Sequence, residues 1–156
     1  MATFTVPGLS AEQGAKAAEI LQGRLAAYND LHLTLKHVHW NVIGPNFISV
    51  HEMIDPQVEL VRGFADEVAE RIAALGGSPK GTVKSITDPI DYPLGIGGAL
   101  DHLKALDKVY TTVVEGNRRA IADLEFDLPS QDIFIGATAE LEKFQWFIRA
   151  HLEYQA

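Results

Sequence analysis

Side chains able to hold a transition metal between positions 39 and 70 include His39, His51, Asp55, Asp66 and Glu70. His51 and Asp55 are four residues apart, and so are Asp66 and Glu70. At that spacing two side chains of a helix are neighbours and can reach one ion. If positions 46–75 form one helix, these four residues lie at roughly 0°, 40°, 60° and 100° around its axis, all on one face. They cannot serve a single ion within one chain. Asp55 and Asp66 are separated by a rise of roughly 16 Å, whereas coordination bonds are about 2 Å long.

Each chain therefore offers two half-sites, and their placement is symmetric. Positions 51 and 70 are equidistant from the middle of the helix, and so are 55 and 66. Two copies packed antiparallel across a two-fold axis would set His51 and Asp55 of one against Glu70 and Asp66 of the other, because an isologous contact meets itself in reverse. One dyad would then build two identical composite sites. His39 completes the set if the Gly44-Pro45 turn folds it back beside the start of the second helix. Two imidazoles and three carboxylates are enough for one or two Fe(II) ions with positions left open for an oxidant. A structural reading competes with this one. Asp66 and Glu70 would be a solvated helix face partnered by Arg62 and Arg71, and His32, alone on an apolar stripe, would be a buried, hydrogen-bonded histidine.

The elements that must position these residues are four helices, with no convincing strands. Leu21, Leu25, Tyr28, His32, Leu35 and His39 follow alternating spacings of four and three, one stripe of a first helix over 10–41. Ser10 is its N-cap. The second helix spans 46–75, ended by Gly76-Gly77. Pro56 is an awkward residue within it and predicts a bend or a late start. Residues 76–95, rich in Gly, Pro and Asp, form a long connection with room for a short helix. A third helix covers 97–124, with Leu100, Leu103, Leu106, Val109, Tyr110, Val113 and Val114 inward. After the break at 127–130 a fourth covers 130–154, with Ile133, Leu141, Phe144, Phe147, Ile148 and Leu152 inward. Trp146 is placed in the core. Residues 1–9 are an N-terminal tail to this single domain. Short, long, short connections make the second and third helices parallel, which is the four-helix bundle with one crossover.

Composition limits the chemistry further. There are 156 residues and no cysteine, so disulfides, thiolate metal sites and a Cys nucleophile are excluded. A metal site must use His, Asp and Glu, which suit iron, manganese or zinc. The 13 Lys and Arg against 21 Asp and Glu leave a net charge of −8, which serves solubility or cation attraction and opposes nucleic acid. No apolar run is long enough to span a membrane and no secretory signal is evident, so a cytoplasmic location is expected.

At these residues the chain resembles the Dps family, DNA-binding proteins from starved cells. The resemblance rests on HWN at 39–41, HEMID at 51–55 and DEVAER at 66–71 with the LGG after it. KFQWFIRAHLE near the C-terminus extends it over nearly the whole chain, and the actinobacterial branch looks nearest. It implies an all-α, ferritin-like subunit in a hollow dodecameric shell. It also implies a ferroxidase that oxidises Fe(II), with hydrogen peroxide preferred to dioxygen, and stores a ferric core. On this likeness His39 and His51 are nitrogen ligands, and Asp55 and Glu70 are the principal carboxylates of a two-metal or partly occupied iron site. Asp66 is a weaker ligand or orients water. Trp40 either donates an electron to a stray oxidant or packs in the interface. Lys36 pairs with a site carboxylate or is simply exposed. The ferritin E-x-x-H pattern is absent, which favours sites between subunits. Acidic pores near the start of the last helix would draw on Glu125, Asp127 and Asp132, although Asp127 also suits a helix cap.

The chain departs from the family's name in one respect. Residues 1–15 and 152–156 contain no Lys or Arg, so little DNA affinity is expected at physiological salt. The alternatives to iron storage are a DNA-compacting or structural shell, and an amide hydrolase using the same metal site.

Overall fold

The computed structural model describes residues 5–152. Helix α1 (Ala11–Asn41) opens with a reciprocal cap. The Gln13 amide donates to Ser10 Oγ at 3.1 Å, and the Ser10 amide donates to the Gln13 side chain at 2.9 Å. After Gly44, which takes a φ of +103° that other residues resist, α2 (Phe47–Ala74) returns alongside α1. Pro56 neither delays nor stops α2. It sits on the exposed face, where the Glu52 carbonyl freed by the missing N–H remains open to water. Gly76, at φ +84°, ends the helix. Its amide donates to Ala73 O and that of Gly77 to Ile72 O, both at 2.9 Å, the paired bonds of a left-handed C-terminal cap.

Helix α3 (Ala99–Asp123) packs against α4 (Leu128–Leu152) as α1 does against α2. Helix α4 starts two residues earlier than the sequence suggested. Pro129 falls in its first turn, where a missing N–H costs nothing; the expected end at Tyr154 lies outside the described residues. Helix α3 starts two residues later than expected, because Gly97-Gly98 (β2) pair in parallel with Val42-Ile43 (β1). This pairing corrects the expectation of no strands, since two residues are too few to leave a periodic signal. The core between the helices is built from Leu21, Leu25, Tyr28, Leu35, Ile54, Val61, Leu103, Tyr110, Phe134 and Leu141, all buried. Among the described residues no helix is long and apolar enough to cross a membrane.

The connection from α2 to α3 runs the length of the bundle and is fastened to α1. It holds one 3-10 turn, Val83–Ser85. Gln22 exchanges two hydrogen bonds with the Lys80 backbone, at 2.8 and 3.0 Å. Asp30 accepts from the Ile90 amide, and His37 Nε2 donates to Leu94 O at 2.7 Å. Tyr92 Oη lies 2.9 Å from His102 Nδ1.

Burial is the main cause that lowers the pKa of His102, partly offset by the nearby carbonyls of Asn41 and Gly95. A histidine whose folded pKa is depressed binds its proton more readily when unfolded. Stability therefore declines as pH drops below the unfolded value of about 6.5 and levels off below the folded pKa. Denaturant titrations from pH 8 to pH 5 should show this decline. It should be shallower in His102→Gln, and equal slopes in both proteins would remove His102 as its cause.

Candidate metal centre

His39 occupies the last turn of α1 and His51 the beginning of α2, so the tight Gly44-Pro45 reversal sets the two rings face to face. Their centroids are 3.6 Å apart with 24° between the planes. His39 Nδ1 donates to the His51 carbonyl at 3.0 Å, and His51 Nδ1 donates to the His39 carbonyl at 2.9 Å. An imidazole whose Nδ1–H is held by a carbonyl presents its Nε2 lone pair in a set direction, the arrangement that orients histidine ligands in metal sites. Phe47 packs on the His51 ring at 4.9 Å.

Asp55 lies one helical turn beyond His51, half exposed. Its Oδ1 is 2.8 Å from Lys36 Nζ and 3.2 Å from His39 Nδ1. The hydrogen bond from the Lys36 ammonium is the main reason its carboxyl sits below the usual carboxylate range. Lys36 thus takes the paired rather than the merely exposed role. Trp40 is 71% exposed, with Lys36 Nζ 6.0 Å from its ring.

Asp66 and Glu70 stand exposed on α2, about three and four turns from Asp55 respectively. Neither makes an ion pair or side-chain hydrogen bond among the described residues. The arginines that a structural reading would assign to them are engaged elsewhere. Arg62 pairs with Glu59 at 3.3 Å. Arg71 grips both oxygens of Asp127, at 2.9 and 3.0 Å, and reaches Ser130 Oγ at 2.8 Å. Within one chain no three His, Asp or Glu side chains among the described residues converge on a point that could hold a metal. A single copy carries an imidazole pair with one carboxylate at one end of α2 and two free carboxylates at the other.

Three expectations need correction. Asp127 is not available to line a pore: it is 4% exposed and neutralised by Arg71. Its carboxylate accepts from Arg71 and from Ser130 Oγ. Glu125 and Asp132 are exposed. Trp146 is 63% exposed rather than in the core, on a stripe of α4 with Leu128 and Ile135. The separations of seven and eleven residues put these three on one line, a signal the sequence already contained. His32 is partly buried, but it makes no side-chain hydrogen bond among the described residues. It lines an open cavity of about 260 Å³ with Asn29, Arg62 and Asp66.

Four helices, one crossover and a divided set of nitrogen and carboxylate ligands define a ferritin-like protein, and the Ferritin-like domain family matches residues 18–155. The chain is 61% identical to the DNA protection during starvation protein of Mycolicibacterium smegmatis, over 98% of its own length and 86% of that protein's. A crystal structure titled Mycobacterium smegmatis Dps, tetragonal form, superposes with a TM-score of 0.95 at 61% identity, covering 97% of this chain and 94% of that one. Similarity extends to the fine tangled pili major subunit of Haemophilus ducreyi, 48% identical over 97% of this chain and 82% of that protein. The chain belongs to the Dps family.

Proposed function

We propose that this protein oxidises Fe(II) at sites shared between two copies and stores the ferric product inside a closed homo-oligomeric shell of twelve. The observation that carries the reading is the reciprocal pair of Nδ1–H bonds between His39 and His51. It leaves the Nε2 atoms of both rings as nitrogen donors at one end of α2, while Asp66 and Glu70 have no partner among the described residues at the other. Antiparallel pairing of two α2 helices brings these ends together. His39 and His51 then supply nitrogen, Asp55 and the other copy's Glu70 supply the principal carboxylates, and Asp66 binds weakly or orients water. Asp55 exchanges its Lys36 partner for the ion, so Lys36 holds the carboxylate ionised and in place until iron arrives. Hard carboxylate donors favour the ferric product.

Hydrogen peroxide is the proposed oxidant. Each molecule takes one electron from each of two Fe(II) ions, its O–O bond breaks, and the oxygens leave as water or hydroxide. Paired consumption of iron and peroxide keeps hydroxyl radical from forming. Trp40, exposed beside His39, can surrender an electron to an oxidant that escapes, or pack against the neighbouring copy. Glu125 and Asp132 are the acids left to draw cations through a pore, and the exposed Leu128, Ile135 and Trp146 stripe offers a second contact between copies. The site of action is the cytoplasm.

Anaerobic loading with Fe(II) followed by peroxide tests this reading. A rapid rise in ferric absorbance is expected, with the iron eluting in a soluble assembly of twelve chains. A rate equal to that of protein-free buffer would sink the proposal. A purely structural shell is the second reading, and that outcome would support it.

DNA compaction is not proposed. Six of the 13 cations (Lys36, Arg62, Arg71, Arg118, Lys143 and Arg149) are paired with carboxylates, and the rest are outnumbered by acids in a chain of net charge −8. Counterion release needs free cationic contacts. A gel shift at physiological salt should leave duplex DNA unretarded, and tight retention would overturn this.

A further inference from the structure

Arg24 is a cation without an anion. It projects from α1 onto α3, where Nε donates to Asn117 Oδ1 and Nη2 to the Val113 carbonyl, both at 3.0 Å. Its guanidinium lies over the backbone at Gly116, and any Cβ there would collide with Nη1. No described carboxylate comes within 4.0 Å of it, and Nη1 has no described acceptor. A second guanidinium without an ion pair among the described residues, Arg119, faces the same space. Both line a cavity of about 250 Å³ between α1, α3 and the crossover, walled also by Thr87, Asp30 and Asp88. Burial and the repulsion of Arg119 together pull the Arg24 pKa down, partly offset by Tyr28. The Tyr28 ring lies 5.7 Å from the guanidinium carbon, but a partly buried charge with no counter-ion remains costly, and a guanidinium does not escape by losing its proton.

We propose that Arg24 and Arg119, with the Thr87 hydroxyl, bind a small oxyanion of the phosphate class in this cavity. The forked donors of arginine match such an anion, and two guanidiniums meeting it from different helices would fix it at one end. The cavity is smaller than those that hold drug-sized molecules, which points to an ion or a small phosphate ester rather than a polymer. Asp30 accepts the Ile90 amide and neither aspartate is paired with the arginines, so the anion sits at the arginine end. The site is distinct from the iron ligands, none of which lines this cavity. An anion there would join α1 and α3 to the connection that separates the two helix pairs.

The test is calorimetric titration of the full-chain assembly with inorganic phosphate at constant ionic strength. The protein must first be freed of ferric iron, which binds phosphate itself. Saturable binding of one phosphate per chain is expected. It should weaken by about tenfold or more in Arg119→Gln and Arg24→Gln, the loss of one charge-assisted contact. Arg119 is exposed, so its variant should keep the wild-type melting temperature and iron oxidation rate. Gly116→Ala should weaken binding as well, by displacing Arg24. Absence of saturable binding, affinity unchanged in Arg119→Gln, or displacement of phosphate by a short DNA duplex would each overturn the proposal.

Discussion

Replacing His51 and Asp55 together by alanine is expected to slow peroxide-driven Fe(II) oxidation by more than about a hundredfold. Loss of residues that merely orient metal ligands already costs ~10–100-fold, and this variant removes one nitrogen and one carboxylate donor from every site. The fold should survive, because His51 is only partly buried and Asp55 is half exposed. Rates equal to wild type would make the stacked imidazoles a structural device for closing the turn between α1 and α2. A mixing experiment separates a shared site from one built within a chain. Asp66→Ala/Glu70→Ala should be inactive too, yet a dyad formed from one copy of each variant contains one intact composite site and one reduced to His39 alone. Random co-assembly in equal amounts should therefore recover about one quarter of the wild-type rate. Recovery of nothing would place all the ligands of a site in one chain.

The second large effect concerns stability. Asp127→Ala should destabilise the protein by about 3–5 kcal/mol, the usual consequence of stripping the partner from a buried charge. Arg71 keeps only Ser130 Oγ in that variant, and Ser130, itself buried, loses its hydrogen bond to Asp127. The pair ties the last turn of α2 to the first turn of α4, two elements that share few other fastenings. Removing both charges, as in Arg71→Met/Asp127→Leu, should cost less than removing either one, because no charge is left stranded. Denaturant unfolding at matched protein concentration measures this, since assembly makes apparent stability concentration-dependent. A double variant less stable than Asp127→Ala would show that the ion pair contributes beyond relieving its own burial. The expected loss contrasts with the exposed Arg62 and Glu59 pair, whose removal should shift stability by no more than about 1 kcal/mol.

Much of this arrangement is legible along the chain. A helix projects its residues at a fixed angle and rise, so the common face of His51, Asp55, Asp66 and Glu70 and the distance between the two half-sites follow from position alone. The same regularity places the four helices to within about two residues at each described end, and it makes one chain insufficient for a site. Capping at Ser10 and termination at Gly76 are equally local, since each depends on residues within one turn.

What periodicity does not encode is which side chains meet across elements. That His39 and His51 trade hydrogen bonds with each other's carbonyls depends on where a turn delivers α2 relative to α1. That Arg71 reaches Asp127 depends on the start of α4 approaching the end of α2. The path of the crossover, the two-residue pairing of Val42-Ile43 with Gly97-Gly98, and the stranding of Arg24 over Gly116 have no periodic signature at all. The sequence determined the spacing of the ligands, because a helix converts separation into geometry without help from its surroundings. Apart from pairs within one helix such as Arg62 with Glu59, tertiary structure decided which charges are paired, buried or left facing a cavity, because those outcomes depend on contacts between residues up to 93 positions apart.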